Sequence, residues 1–182
     1  MTAALQLPRV AETARPALVA TGTAGWGIVL VRDEHEHVAV GGLGRPDHDV
    51  TTATPFHICS CSKTFTAAVF ARLVQDGVTS WEQPVHDILP EFQFADSWIT
   101  RHCTFRDLAC MRTGLSRDGI AEWGINQSLP KETRLARIRH MRHDTSFRDR
   151  FSYSNLGYIA LSLAAERLAG TPYADLIQKF IC

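Results

Sequence analysis

The sequence predicts an α+β protein in which an antiparallel sheet, flanked by helices, leads into a largely helical region. Three observations carry that expectation. Gly25 to Arg32 (GWGIVLVR) is an apolar, β-branched run, and His37 to Gly42 (HVAVGG) reads as its return strand across a polar turn at Asp33 to Glu36, so the two form a hairpin. Ser62 to Gln75 places Phe65, Ala67, Ala68, Val69, Phe70, Ala71, Leu73 and Val74 around nearly the whole circumference of a helix, which predicts burial on all sides rather than an amphipathic face. Beyond residue 81 the apolar spacing is helical and no further strand is evident.

The remaining elements follow in chain order. Residues 3–19 read as an imperfect helix interrupted at Pro8 and Pro16, and Asp47 to Pro55 as a loop. Asp76-Gly77 ends the buried helix, with Gly77 suited to the left-handed position after a helix C-terminus. Pro84 to Pro90 is a short segment bounded by prolines. Thr104 and Asp107 form a capping-box-like pair at the head of a helix from Thr104 to Met111, stopped by Gly114. Lys131 to Arg142 carries Leu135, Ile138 and Met141 on one stripe and is an amphipathic helix. Asn155 to Leu168 is an apolar helix closed by Gly170. Thr171 as N-cap and Pro172 at the first helical position begin the last one. A lone hairpin is too small a sheet to stand in water, so further strands are needed that the sequence does not obviously supply.

Composition excludes several classes of function. The 182 residues hold 45% hydrophobic and 21% charged residues, ordinary globular values. Nineteen Lys and Arg balance nineteen Asp and Glu, so no net field favours nucleic acid or an anionic membrane. No apolar run approaches the roughly 18 residues needed to span a bilayer. The N-terminal residues show no charged region followed by an apolar one, so a cytoplasmic location is expected. The five cysteines, Cys59, Cys61, Cys103, Cys110 and Cys182, match no zinc spacing and are expected as reduced thiols, several of them buried, with Cys59 and Cys61 among the buried ones. Asp33 to His37 is read as a solvated turn rather than a metal site, and Gly41 to Gly44 as a strand-end turn. Arg134, Arg137, Arg139 and Arg142, with His140 and His143, form a solvated basic segment, and His57 is a structural residue. Neither a metal nor an organic cofactor is implied.

The chemistry lies in Ser60-Cys61-Ser62-Lys63. A serine hydroxyl is a weak nucleophile until a base takes its proton. A lysine three residues on shares its helix face. Burial there disfavours the ammonium form and equips Lys63 to accept a proton. Ser60 also lies at a helix N-terminus, where free N–H groups favour a developing oxyanion. With ten Ser and three Lys, one Ser-x-x-Lys arises by chance in about one such chain in six, so the second motif carries weight. It is Tyr153-Ser154-Asn155, ahead of an apolar helix, offering a phenol for proton relay and an amide to orient a substrate.

The Ser-x-x-Lys and Tyr-x-Asn pair resembles the serine β-lactamase and penicillin-binding-protein superfamily. The surrounding text resembles its class C, esterase and D-aminopeptidase branch. The similar segments, in order, are Pro55 to Phe70 (PFHICSCSKTFTAAVF), Leu73 to Phe92 (LVQDGVTSWEQPVHDILPEF), Thr104 to Leu115 (TFRDLACMRTGL) and Phe151 to Tyr158 (FSYSNLGY). The resemblance implies a β-lactamase-like (DD-peptidase) fold and a serine hydrolase that cleaves an ester, amide or β-lactam through an acyl-enzyme. Ser60 would be the nucleophile, Lys63 its base, Tyr153 a general acid/base and Asn155 a substrate-binding group; the Ser60 N–H would be one oxyanion donor. Met111 stands where the branch usually has histidine and Ala109 where leucine is common, differences expected to affect packing. The family's third motif, Lys-Thr-Gly or His-x-Gly on a late strand, does not follow Tyr153. The resemblance therefore implies one truncated domain over 1–182, with 1–80 the start of the α/β part and 81–182 mainly helical. Its partners would be a small-molecule or peptide substrate and, through open sheet edges, a second copy or a complementing chain. An inactive fragment or interaction module is the alternative.

Overall fold

The computed structural model describes residues 7–116 and 128–182, which divide into two compact units, the first ending at His57 and the second running from Ile58 to Cys182.

The first unit opens with helix α1 (Leu7–Ala20), which packs on strand β2. The expected break at Pro16 does not occur. Proline removes one N–H from the ladder, and the exposed helix continues on its remaining hydrogen bonds. Residues 3–6 of the expected helix lie outside the described residues. Strands β1 (Gly25–Arg32) and β2 (His35–Arg45) form the expected hairpin, in register from Gly25 opposite Gly42 to Arg32 opposite His35. The turn is only Asp33-Glu34, with Asp33 left-handed at φ 53°. Strand β2 is longer than expected because Gly41 to Gly44 lie inside it. Gly42 serves close backbone approach rather than a turn: a Cβ on it, at φ 78°, would stand 2.1 Å from the Ala24 carbonyl oxygen. A bulge near Leu43 then lets β2 pair with a two-residue strand β3 (His48–Asp49), where a loop was expected. The sheet order is β1-β2-β3, all antiparallel.

The second unit is helical and contains α2 (Ser62–Gln75), α3 (Val85–Ile88), α4 (Ser97–His102), α5 (Phe105–Ala109), α6 (Lys131–Leu135), α7 (Asn155–Ala169) and α8 (Tyr173–Phe180). Helix α2 has the expected bounds but not the expected burial. Only Thr66, Val69, Phe70 and Leu73 are buried, the i, i+3, i+4, i+7 pattern of a single face, while Phe65, Ala68 and Ala71 are exposed. The helix buried on nearly all sides is α7, where Ala160 to Ala165 are all covered. Helices α2, α3, α5, α6 and α8 all pack on it. Phe70 joins α2 to the core through Phe105 and Trp81, with ring centroids 4.6 and 5.2 Å away.

Several helix ends follow local chemistry. Thr104 and Asp107 make a full capping box on α5. Gly77 and Gly170 take left-handed conformations after α2 and α7, as expected. Asp96 accepts from the Trp98 N–H at 2.7 Å and starts α4, a helix the sequence pattern did not reveal. Lys131 to Arg142 is not one helix. It splits into α6 and a 3-10 turn (Ile138–His140), which still bury Leu135 and Ile138. Helix α5 ends at Ala109, before Gly114. Helix α8 begins one residue later than expected. Its N-cap is Pro172, and the Thr171 hydroxyl donates to the Ala169 carbonyl instead. The Tyr173 N–H is taken by Glu166 at 3.0 Å, and Glu166 also pairs with Lys131 at 2.9 Å. No described helix is long and apolar enough to cross a membrane.

Leu161, on the central helix, is fully buried. Leu161→Ala is expected to destabilise the helical unit by about 2–5 kcal/mol, through lost burial and the cavity left behind. Urea unfolding followed by far-UV circular dichroism checks this.

Candidate active site

Ser60 sits in a single 3-10 turn (Cys59–Cys61) that runs directly into α2. The preceding residue, Cys59, has φ 47°, a left-handed conformation uncommon for a side-chain-bearing residue. Two bonds hold the bend: the Cys61 N–H reaches the Ile58 carbonyl at 3.0 Å, and the Ser62 hydroxyl donates to the Cys59 carbonyl at 2.6 Å. The result is an exposed Ser60 at the N-terminal end of a 14-residue helix, where free N–H groups and the dipole favour negative charge.

Lys63 lies one turn along α2, and its Nζ is 3.1 Å from Ser60 Oγ. Tyr153, ninety-three residues away in sequence, brings its hydroxyl to 2.6 Å from the same oxygen. Three of the residues singled out in the sequence thus meet at one hydroxyl. Asn155 is the first residue of α7, half-buried and two residues beyond Tyr153. The full enclosure expected for Lys63 is not found. It is half-buried, with Nζ 5.0 Å from the Tyr153 ring centre and 5.8 Å from that of Tyr158, faces that attract a cation.

Tyr158 is a site residue the sequence reasoning did not single out. Its hydroxyl donates to the Ala109 carbonyl at 2.9 Å. Burial pushes its phenol above the ordinary value, with Cys110 and Tyr153 adding to the effect, so it stays protonated. The signal was present in the sequence: Tyr158 lies three residues after Asn155, on a neighbouring face of the same helix.

Tyr153 comes from irregular backbone, residues 141–154, between the 3-10 turn at Ile138–His140 and α7. That stretch is laid along residues 111–116. Ser152 donates its N–H to the Met111 carbonyl and its hydroxyl to the Leu115 carbonyl, both at 2.7 Å. Asp144 N–H reaches the Gly114 carbonyl at 2.9 Å. Gly114 permits this approach, since a Cβ there would lie 2.4 Å from the Thr145 carbonyl oxygen. Met111 and Ala109, the two departures noted in the sequence, both contribute main-chain carbonyls here.

Beside this stretch is Asp107, whose side chain is fully buried. It accepts from the Thr104 N–H at 2.9 Å, from Arg112 Nε at 2.6 Å, and from Arg148 Nε and Nη2 at 2.9 and 2.8 Å. Burial alone would raise its carboxyl. The hydrogen bonds from Arg148, Thr104 and Arg112 outweigh that and hold it below the ordinary carboxylate value. Neighbouring Cys103 is buried, and burial together with the Asp107 carboxylate pushes its thiol up, so it remains protonated. Cys103 is the one fully buried cysteine. Cys59 and Cys61, expected to be buried, are exposed, as are Cys110 and Cys182. The turn that carries Ser60 lies at the surface, so its small residues remain exposed to solvent. Among the described residues no group of three or more His, Cys, Asp or Glu could hold a metal ion.

The Beta-lactamase family model matches residues 10–182. This chain belongs to the Beta-lactamase family. Among curated relatives, it is 32% identical over 143 residues to the unguisins hydrolase ungD' of Aspergillus campestris, covering 75% of this chain and 27% of that protein. It is 28% identical over 133 residues to penicillin-binding protein 4 of Amycolatopsis lactamdurans, covering 71% and 34%. The octameric penicillin-binding protein homologue from Pyrococcus abyssi superposes with a TM-score of 0.83 at 22% identity, over 97% of this chain and 42% of that one. A class C beta-lactamase gives 0.78 at 20% identity, over 96% and 47%. These superpositions establish a β-lactamase-like fold, of which the three-stranded sheet and helices here form a part. The chain spans about a quarter to a third of the length of these two curated relatives.

An Asp whose folded carboxyl ionises at lower pH than its unfolded one adds stability above the unfolded value, about pH 4, and loses it as pH falls through the folded value. Acid unfolding of this Beta-lactamase-family chain is therefore expected to steepen below about pH 4. Asp107→Asn should flatten that limb while lowering stability at pH 7 by about 3–5 kcal/mol, because two arginines lose their carboxylate. Urea midpoints measured across pH check both.

Proposed function

We propose that this chain carries the nucleophilic centre of a serine hydrolase acting on an ester, amide or β-lactam carbonyl. The observation that carries the reading is the Ser60 hydroxyl, 3.1 Å from Lys63 Nζ and 2.6 Å from the Tyr153 hydroxyl. A base and a phenol on one serine oxygen are what acyl transfer needs. Lys63 takes the Ser60 proton while Oγ bonds to the carbonyl carbon. The Ser60 N–H stabilises the oxyanion. Tyr153 passes its phenolic proton to the leaving group as the acyl–leaving-group bond breaks, and the proton on Lys63 restores the phenol. Water then attacks the acyl-enzyme, releasing the acid and returning a hydrogen to Ser60. Asn155 orients the substrate beside Tyr153. Its similarity to an unguisins hydrolase and to a penicillin-binding protein supports a small-molecule or peptide acyl substrate.

A second reading is supported by the exposure of Ser60. Oxyanion and proton-transfer effects are strongest where water is excluded. In this reading the chain keeps the Ser60/Lys63/Tyr153 cluster but serves as an interaction module without turnover.

Intact-mass analysis after incubation with a fluorophosphonate separates the two. The hydrolase reading expects a single adduct, absent in Ser60→Ala, and slowing by about 10²–10⁴-fold in Tyr153→Phe. A folded wild-type protein that takes up no adduct sinks it and leaves the interaction module.

A further inference from the structure

Lys63 is fixed by the regular helix α2 and Ser60 by the 3-10 turn that runs into it, whereas Tyr153 is delivered by the irregular stretch 141–154. Sites on loops are less exact than sites on helices unless something else fixes the backbone. Two anchors precede the delivery point. One is Ser152, bonded to the Met111 and Leu115 carbonyls. The other is Arg148, which grips both oxygens of the buried Asp107 and also donates from Nη2 to the His102 carbonyl at 2.9 Å. Arg148 holds a left-handed φ of 65°, and its own N–H reaches the Arg112 carbonyl at 2.8 Å. Arg112 in turn bonds Asp107. Such a conformation persists in a residue with a side chain only where the surroundings over-determine it. Asp107 belongs to α5, and the last residue of α5, Ala109, receives the Tyr158 hydroxyl beside Lys63. One short helix thus references the Tyr153 stretch and the Lys63 surroundings to each other.

We propose that Arg148, clamped on Asp107, is a positioning residue for the Tyr153 hydroxyl, setting where the 148–153 stretch delivers the phenol to Ser60. This rests on the reading of Ser60, Lys63 and Tyr153 given above. The Arg148 side chain is 38% exposed, so it adds little to the apolar core; its removal loosens the clamp and also takes one of two arginines from the buried Asp107, which lowers stability and is why the folded state is followed alongside labelling.

The test uses the full chain and the rate of fluorophosphonate adduct formation on Ser60, with circular dichroism reporting the folded state. Arg148→Ala is expected to slow labelling by about tenfold or more, since a misplacement of 1 Å can cost 10²-fold. Arg148→Lys, which keeps the charge but not the two-pronged grip, should fall between. Arg139→Ala, an exposed charge on the 3-10 turn, should label at the wild-type rate. In a Tyr153→Phe background, Arg148→Ala should add no further slowing, because the group it positions is gone. In protein carrying ¹³Cζ-tyrosine, the Tyr153 resonance should shift in Arg148→Ala and that of Tyr173 should not. Wild-type labelling by Arg148→Ala, or equal slowing with and without the Tyr153 hydroxyl, overturns the proposal. If Arg148→Ala fails to fold, Arg148→Lys carries the same comparisons. If the wild-type protein takes no label, the hydrolase reading falls, and the Tyr153 resonance decides positioning by itself: displaced in Arg148→Ala supports it, unmoved overturns it.

Discussion

A carboxylate cut off from water has to be surrounded by donors, and in this chain that requirement organises the ground beneath the site. Asp107 is fully buried, and its oxygens are filled by a main-chain N–H, a threonine hydroxyl and two arginines. Arg112 lies five residues on and Arg148 forty-one, both in irregular backbone. Matching the charge of Asp107 therefore pulls residues 112 and 148 to one place and closes the 141–154 stretch over the 111–116 turn. Breaking such a set is costly because it strands a buried charge, which is why it holds irregular backbone that hydrophobic packing alone would leave loose.

The other half of the site depends on helix packing. Helix α7 is the centre of the second unit, and α2 lies against it by one face. That face fixes the rotation of α2, and rotation in turn fixes which side of the helix Ser60 and Lys63 present. The left-handed Cys59 bends the chain just before the helix and leaves Ser60 exposed at its N-terminal end. Residues separated by ninety-three positions then share one hydrogen-bonded oxygen. Membership of the Beta-lactamase family gives this arrangement its context, and the chain accounts for less than half of the class C beta-lactamase it superposes on.

Local signals were legible wherever a short-range interaction decided the outcome. The bounds of α2, the capping box of α5, the left-handed glycines after α2 and α7, and the β1–β2 hairpin follow from spacing and from residues whose side chains or missing Cβ act on their own backbone. The Ser60-to-Lys63 pairing is also local, one helical turn. Failures came where neighbours decide. The all-round apolar pattern of α2 promised full burial, yet burial depends on what surrounds a helix, and the surrounded one is α7. Gly41 to Gly44 suggested a turn, yet the facing strand makes them ladder residues. Cys59 and Cys61 suggested small buried groups, yet a turn at the surface exposes them.

The sequence by itself determined the α+β order of elements, the Ser60 turn with its lysine, and the Tyr-x-Asn motif that leads into a helix, because each is written in contacts within a few residues. Only the tertiary structure decided that Tyr153 touches Ser60, that Tyr158 lies beside Lys63, and that Asp107 does more than cap its helix. Those facts rest on long-range packing and on matching one buried charge, and neither is encoded in the spacing of any single segment.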